Sequence, residues 1–124
     1  MKWKFTADRP VYQQIMEQIQ GAVLTGEFAP GQKIPSVRDL ATDAQVNPNT
    51  MQHALQELER LDLLVTEGTS GRRVTDDPCI LETMREQRLK ELTAECAAKY
   101  AVLGISPGEA AQMLAQFNKE REEM

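Results

Sequence analysis

The segment from residue 35 to residue 74 encodes two short helices, a tight turn and a hairpin, and it constrains the fold more than any other part of the chain. Ser36 and Asp39 form a capping-box signature that begins the first short helix. Asn47 and Pro48 supply the N-cap and first residue of the second helix. This order of elements predicts a winged helix-turn-helix. In the second helix, apolar residues at three- and four-residue steps predict one buried face: Met51, Ala54, Leu55, Leu58 and Leu61.

The opposite face of the second helix carries long side chains without charge. Asn49, Gln52, His53 and Gln56 fall on this face. Amide groups can bond the edges of bases, so the face suits a major groove. His53 is the single histidine of the chain, which argues against a multi-histidine metal site. The alternative for His53 is an exposed side chain with no role in binding.

Four sequence motifs occur in a fixed order: Tyr-Gln-Gln-Ile at 12–15, Gly-Glu-Phe-Ala-Pro-Gly at 26–31, Ile-Pro-Ser-Val-Arg-Asp-Leu-Ala at 34–41, and Val-Asn-Pro-Asn-Thr at 46–50. In order and spacing they resemble the DNA-binding domain of the GntR family of bacterial transcription regulators. The Asn-Pro-Asn-Thr form and the brief C-terminal extension resemble its YtrA-like branch. The similarity covers roughly residues 9–75 and implies sequence-specific binding of double-stranded DNA.

The resemblance implies a DNA-binding surface built from both short helices and the wing. Arg38 stands where the family carries an arginine that faces DNA; the alternative is a surface arginine paired with Asp39 or Asp43. For Asn47 the alternative is simple helix capping. Strand alternation directs one wing arginine to DNA and the other over the domain, and we expect Arg72 to face DNA. The expected DNA-binding residues are Ser36, Arg38, Asn47, Asn49, Thr50, Gln52, His53, Gly71 and Arg72.

The segments around the two short helices complete the predicted N-terminal domain. Residues 1–7 alternate between apolar and polar side chains, which is typical of a short strand or an ordered arm. A first helix follows and ends at Gly26. Asp62 occupies the helix end at which most relatives have glycine, so we expect a left-handed backbone there. Two strands over residues 63–66 and 72–75 form the wing.

The region after residue 75 predicts a two-helix dimerisation extension. Pro78 begins a long helix that Gly104 closes, and Ser106 begins a last helix with a capping box. Two helices cannot enclose a ligand pocket of about 300 Å3 within one chain. Their apolar faces are usually buried in an isologous dimer, although the long helix folding back on its own winged helix is the alternative. The expected dimerisation residues are Leu81, Met84, Leu89, Leu92, Cys96, Tyr100, Leu103, Met113, Leu114 and Phe117.

The predicted architecture is therefore mainly α, with a winged helix-turn-helix domain over residues 1–75 and a helical dimerisation extension over residues 76–124. The formal net charge is −5, which argues against indiscriminate nucleic-acid binding. Residues 1–75 hold 8 Lys and Arg against 9 Asp and Glu, while residues 76–124 hold 6 against 10. Affinity for DNA must then come from the placement of charge rather than from its total.

The sequence predicts a cytoplasmic homodimer that represses transcription from a palindromic operator. No apolar run reaches the roughly 20 residues of a membrane span, and no secretory signal is recognisable. Cys79 and Cys96 lack metal-ligand spacing and are expected to be reduced, with a redox-sensing role as the alternative. No motif indicates an enzyme or a cofactor. Two other functions stay open, namely a winged helix that assembles proteins without specific DNA binding, and a switch whose small-molecule effector binds between protomers.

Overall fold

A computed structural model describes residues 1–123 and confirms the mainly helical fold with its β-hairpin. The chain divides into two compact units, one comprising Met1–Arg85 and the other beginning at Glu86. The sequence instead places the division after residue 75, within the first unit. The elements are α1 (Val11–Leu24), α2 (Val37–Ala44), α3 (Pro48–Arg60), β1 (Leu64–Thr66), β2 (Arg72–Val74), α4 (Pro78–Val102) and α5 (Pro107–Glu123).

The two short helices begin at the caps that the sequence predicts. Ser36 Oγ accepts a hydrogen bond of 3.1 Å from the Asp39 backbone N–H. Asn47 Oδ1 accepts one of 2.8 Å from the Asn49 backbone N–H. Each cap satisfies one of the backbone donors left unpaired at a helix start. The beginnings of α2 and α3 are thereby fixed by neighbouring residues alone.

The hydrophobic core of the first unit lies where α1 and α2 both pack against α3. Met51, Leu55 and Leu58 of α3 are fully buried beside Ile15 and Ile19 of α1. Burying side chains of this size stabilises a fold by about 1.5–3 kcal/mol each. The packing leaves the opposite face of α3 exposed to solvent.

Leu61 departs from the predicted apolar face of α3. The helix ends at Arg60, and Leu61 is 55% exposed. The chain turns at Asp62, whose φ of 63° confirms the expected left-handed backbone. This turn carries the next residue, Leu63, into the core in place of Leu61.

Residues 1–6 form an ordered arm rather than a strand. Trp3 and Phe5 stack with ring centroids 6.0 Å apart and pack against the core. The Lys4 backbone N–H donates to Gln18 Oε1 at 3.0 Å, and Gln18 Nε2 donates to the Lys4 carbonyl at 2.8 Å. The buried amide of Gln14 holds Thr6 in the same way. Side-chain amides of α1 therefore replace the partner strand that the arm lacks.

The wing is larger than the predicted hairpin because a third segment joins it. β1 and β2 pair antiparallel, with Leu64 opposite Val74. On the other side of β2, the Ile34 N–H donates to the Arg72 carbonyl at 3.0 Å, and the Val74 N–H donates to the Gln32 carbonyl at 2.8 Å. Residues 32–34 therefore line β2 as an additional extended segment.

The first turns of α4 belong to the first unit. Leu81 and Met84 are partly buried against its core, so these two predicted dimerisation residues already have a contact within their own chain. Cys79 is exposed, and both cysteines are free thiols. None of the helices in residues 1–123 combines the length and the apolar character needed to cross a membrane.

The second unit contains the remainder of α4 and all of α5. A turn at Gly104, with φ 76°, ends α4. Ser106 Oγ accepts from the Glu109 N–H at 3.2 Å and Glu109 Oε1 accepts from the Ser106 N–H at 3.3 Å, which confirms the second capping box. Within the described part of this unit, Ala110 alone is buried. The remaining apolar side chains of the unit are half-buried or exposed.

Candidate nucleic-acid interface

Arg38 lies on the exposed surface of the first turn of α2. Among the described residues, no carboxylate oxygen lies within 4.0 Å of its guanidinium. Asp43, one of the partners expected in the alternative, instead accepts a hydrogen bond of 2.8 Å from Trp3 Nε1. The Asp43 carboxylate is therefore engaged by the N-terminal arm and not by Arg38. Arg38 keeps its five N–H donors for an external acceptor.

The beginning of α3 presents polar side chains. Asn47 Oδ1 accepts the capping bond, and the two donors of its amide nitrogen remain for a ligand. Asn49 is exposed and Thr50 is half-buried beside it. Pro48 carries no N–H, which removes one donor from this turn. The N–H groups of Asn49 and Thr50 are both bonded to Asn47, so this turn offers a ligand its side chains rather than its backbone.

His53 is held on the outer face of α3 by a side chain from another helix. Its imidazole stacks on the ring of Tyr12 from α1, with ring centroids 4.0 Å apart and an interplanar angle of 23°. Nε2 of His53 lies 3.8 Å from Glu57 Oε1, and the side chain is 50% exposed. Nothing in the spacing of the sequence singles out Tyr12, because only the packing of α1 on α3 brings it to His53. The stack extends the outer face of α3 towards α1, alongside Gln52 and Gln56.

Contrary to expectation, Arg72 does not point outward from the wing. Its guanidinium Nε pairs with Glu59 Oε1 of α3, and the Arg72 side chain is only 17% exposed. The reason is strand alternation: Val74 lies in the core, so Arg72, two residues earlier, points to the same side of the sheet. Arg73 points to the outer side, where its Nε pairs with Glu67 Oε1. Gly71, with φ 93°, stays exposed in the loop that joins the strands.

Glu59 ties the wing to α3 through two bonds. Besides Arg72, its Oε2 accepts a hydrogen bond of 2.8 Å from the Thr66 hydroxyl of β1. Partial burial by itself would raise the pKa of the Glu59 carboxyl. The hydrogen bonds from Arg72 and Thr66, with the charge of Arg72, outweigh burial and hold the pKa below its ordinary value. The ionised carboxylate is therefore the form that fixes the wing.

Replacing Glu59 with glutamine is expected to lower the free energy of unfolding by about 1–3 kcal/mol at pH 7, since a charge-assisted hydrogen bond is lost. A group with a lowered folded pKa stabilises above its ordinary unfolded value, about 4.3. That contribution disappears as the pH falls through the folded pKa. Urea unfolding of wild type and Glu59→Gln at several pH values measures the difference. Glu57→Gln is the matched control, and an equal loss in both variants would refute the special role of Glu59.

Charge placement leaves few cations of the first unit available to an anion. Of the 8 Lys and Arg in residues 1–75, ion pairs engage Arg9, Arg60, Arg72 and Arg73. Lys2 and Lys4 lie on the N-terminal arm. Only Lys33 and Arg38 remain beside the helix-turn-helix and the wing.

The family model of the bacterial regulatory proteins of the gntR family matches residues 11–74, which include α1–α3 and both strands. The HTH-type transcriptional repressor YtrA of Bacillus subtilis (strain 168) is 38% identical over 97 residues, covering 74% of this chain and 73% of YtrA. A solved GntR family transcriptional regulator from Listeria monocytogenes is 33% identical, with a TM-score of 0.77, covering 93% of this chain and 98% of that one.

The chain is also similar, over part of its length, to a protein solved on DNA. The crystal structure of AraR(DBD) in complex with operator ORX1 has a TM-score of 0.53 and 26% identity, over 60% of this chain and 92% of that chain. YtrA and the Listeria protein are transcription regulators, which are not enzymes. The chain therefore belongs to the GntR family of bacterial regulatory proteins, as a YtrA-like, DNA-binding transcription regulator.

Proposed function

We propose that this regulator is a homodimeric repressor that binds a palindromic operator in double-stranded DNA. The observation that carries the proposal is the polar, exposed outer face of α3, to which α2 adds the unpaired guanidinium of Arg38. The similarity to the YtrA repressor supports the direction of regulation. The complex of AraR with its operator supports the class of ligand.

In this proposal each protomer reads one half-site with the starts of two helices. Ser36 and Arg38 present a hydroxyl and a guanidinium at the start of α2. Asn49, Thr50 and Gln52 present amides and a hydroxyl at the start of α3, with His53 held beside them by Tyr12. The guanidinium pairs best with guanine, whereas amides pair best with adenine.

The second unit supports the proposal of a homodimer. Leu89 is 50% exposed, Leu92 53% and Phe117 62%. Side chains of this size exposed together on a short helical unit are usually covered by a partner. A second copy of the chain is the simplest partner, because twofold symmetry would then match a palindromic operator. The dimer contact rests on residues from Leu89 onward, since Leu81 and Met84 already contact their own unit.

Selection of bound DNA from a random pool with the purified full-length protein tests the proposal. We expect an inverted repeat whose half-sites lie about one helical turn apart, or a multiple of it. Affinity for the recovered sequence should fall steeply as salt concentration rises. Recovery of unrelated sequences, with no preference over random DNA, would favour an assembly module instead.

Replacing Asn49 or Gln52 with alanine is expected to reduce discrimination at A·T pairs in the half-site, because amides form bidentate bonds with adenine. The loss should be about 1–3 kcal/mol at the affected position and small elsewhere. A series of single base-pair substitutions across one half-site, measured with wild type and each variant, locates the effect. Gln116→Ala on α5 removes an exposed amide far along the chain and serves as the control. If both α3 variants keep the wild-type preference at every position, the amides do not read bases.

A further inference from the structure

The two wing arginines are already neutralised by carboxylates of the same unit. Arg72 pairs with Glu59, and Arg73 pairs with Glu67. A phosphate approaching either guanidinium would have to displace a carboxylate and would then lie beside that negative charge. Neither arginine is therefore positioned as a phosphate contact, and the hairpin itself contributes no other cation.

Lys33 brings a different cation to the wing. It belongs to the extended segment on the free side of β2 and forms an antiparallel bridge with Arg73. Arg73 in turn lies opposite Val65, and directly opposed residues project from the same side of a sheet. Lys33 therefore projects from the outer side of the wing, opposite the side on which Leu64 and Val74 are buried.

The side chain of Lys33 extends towards the loop at the tip of the wing. Its Cε lies 3.4 Å from the position that a Cβ on Gly71 would occupy. Lys33 is exposed, and none of the described carboxylates comes within 4.0 Å of its ammonium. The charged end of Lys33 therefore follows a stem that passes Gly71, where the loop meets β2, and it has no carboxylate partner among the described residues.

We propose that Lys33 is the residue through which the wing binds a DNA backbone phosphate. This proposal rests on the proposed function, because it requires the protein to bind DNA. An ammonium group is a mobile point charge that suits a phosphate and does not require bidentate geometry. Lys33 precedes Ser36 in the chain, and Arg38 follows it. The wing and α2 therefore each supply one cation without a carboxylate partner.

Salt titrations of DNA binding test the role of Lys33 in the full-length protein. One phosphate contact contributes about 0.9 to the slope of log K against log salt, which corresponds to about fivefold in affinity at 0.15 M salt. Lys33→Gln should lose this amount per protomer, equally on selected and on random DNA. Lys33→Arg should restore most of it. Lys2→Gln removes one charge from the arm and should leave the slope unchanged.

The outcomes separate the two proposals. Wild-type protein that shows no salt-dependent binding to any DNA overturns the proposed function and, with it, the role of Lys33. If the wild type binds DNA, Arg38→Ala binds more weakly and Lys33→Gln binds like the wild type, only the role of Lys33 is overturned. A reduced slope in Arg73→Gln, with Lys33→Gln like wild type, would assign the wing contact to the arginine instead. Equal losses of the salt slope in Lys33→Gln and Lys2→Gln would indicate a general effect of net charge. They would also overturn the role of Lys33.

Discussion

Replacing Leu89 and Leu92 together with glutamine is expected to yield monomers that bind a two-half-site operator about 100-fold or more weakly. Joining two binding modules raises overall affinity by a factor of about 10²–10⁴, and the monomer loses this advantage. Both side chains are about half exposed in a single chain, so their replacement should leave the winged helix folded. Analytical ultracentrifugation and operator titration measure the two effects.

Leu89 and Leu92 lie on α4 beyond the first unit, which ends at Arg85. Removing residues 77–124 would also remove Leu81 and Met84 from the core of the winged helix, so that a truncated protein could lose stability and affinity together. The paired substitution lies outside that core. Ala94→Gln is the matched control, because residue 94 lies about 200° around the helix from Leu92. Double-variant protein that stays dimeric with full affinity would contradict the proposed dimer contact.

Helix starts in this protein could be predicted from the sequence because each depends on a few neighbouring residues. Ser36, Asn47 and Ser106 cap their helices with their own side chains, and proline stands at the first position of three helices. Local rules of this kind need no knowledge of distant contacts. The spacing of apolar residues wrongly placed Leu61 on the buried face of α3. The helix ends before Leu61, and the chain turns at Asp62.

The ion pair of Arg72 could not be predicted from the sequence, because its partner belongs to another element. The partner of Arg72 is Glu59, thirteen residues away, and the pair forms only once β2 packs beside the end of α3. Alternation from the buried Val74 would have assigned Arg72 to the inner side. The addition of residues 32–34 to β2 depends on the same packing. Pro35 favours extended backbone in the residues before it, but nothing in the sequence predicts that they pair with β2.

The contact between Tyr12 and His53 has the same origin. The two residues belong to different helices, and their rings meet only because α1 packs across α3. Periodicity correctly places His53 on the outer face of α3, which is a property of one helix. Tyr12, which stacks on His53, reaches it only through the tertiary packing of the two helices. Most residues of the proposed DNA-binding surface can thus be predicted from the local sequence. The tertiary contacts that orient them cannot.

Replacing Arg38 with alanine is expected to weaken DNA binding by about 1–3 kcal/mol per half-site if the guanidinium forms a bidentate bond with guanine. The unpaired state of Arg38 is the reason for so large an effect, since binding breaks no ion pair within the protein. Thermal unfolding should change little, because the side chain is exposed. Titrations on the selected operator and on random DNA, over a range of salt concentrations, measure the loss.

Arg38→Lys distinguishes a base contact from a phosphate contact at the same position. Lysine keeps the charge but lacks the planar pair of donors that guanine O6 and N7 require. If Arg38 reads guanine, the lysine variant should retain binding to random DNA and lose preference at one base pair. If it contacts phosphate, lysine should restore both affinity and the salt slope that alanine lowers by about one unit per protomer. Arg85→Ala, at another exposed arginine of the first unit, controls for the loss of one charge. Equal affinities of wild type and Arg38→Ala on every DNA would remove Arg38 from the interface, and the reading of the operator would then fall to α3 alone.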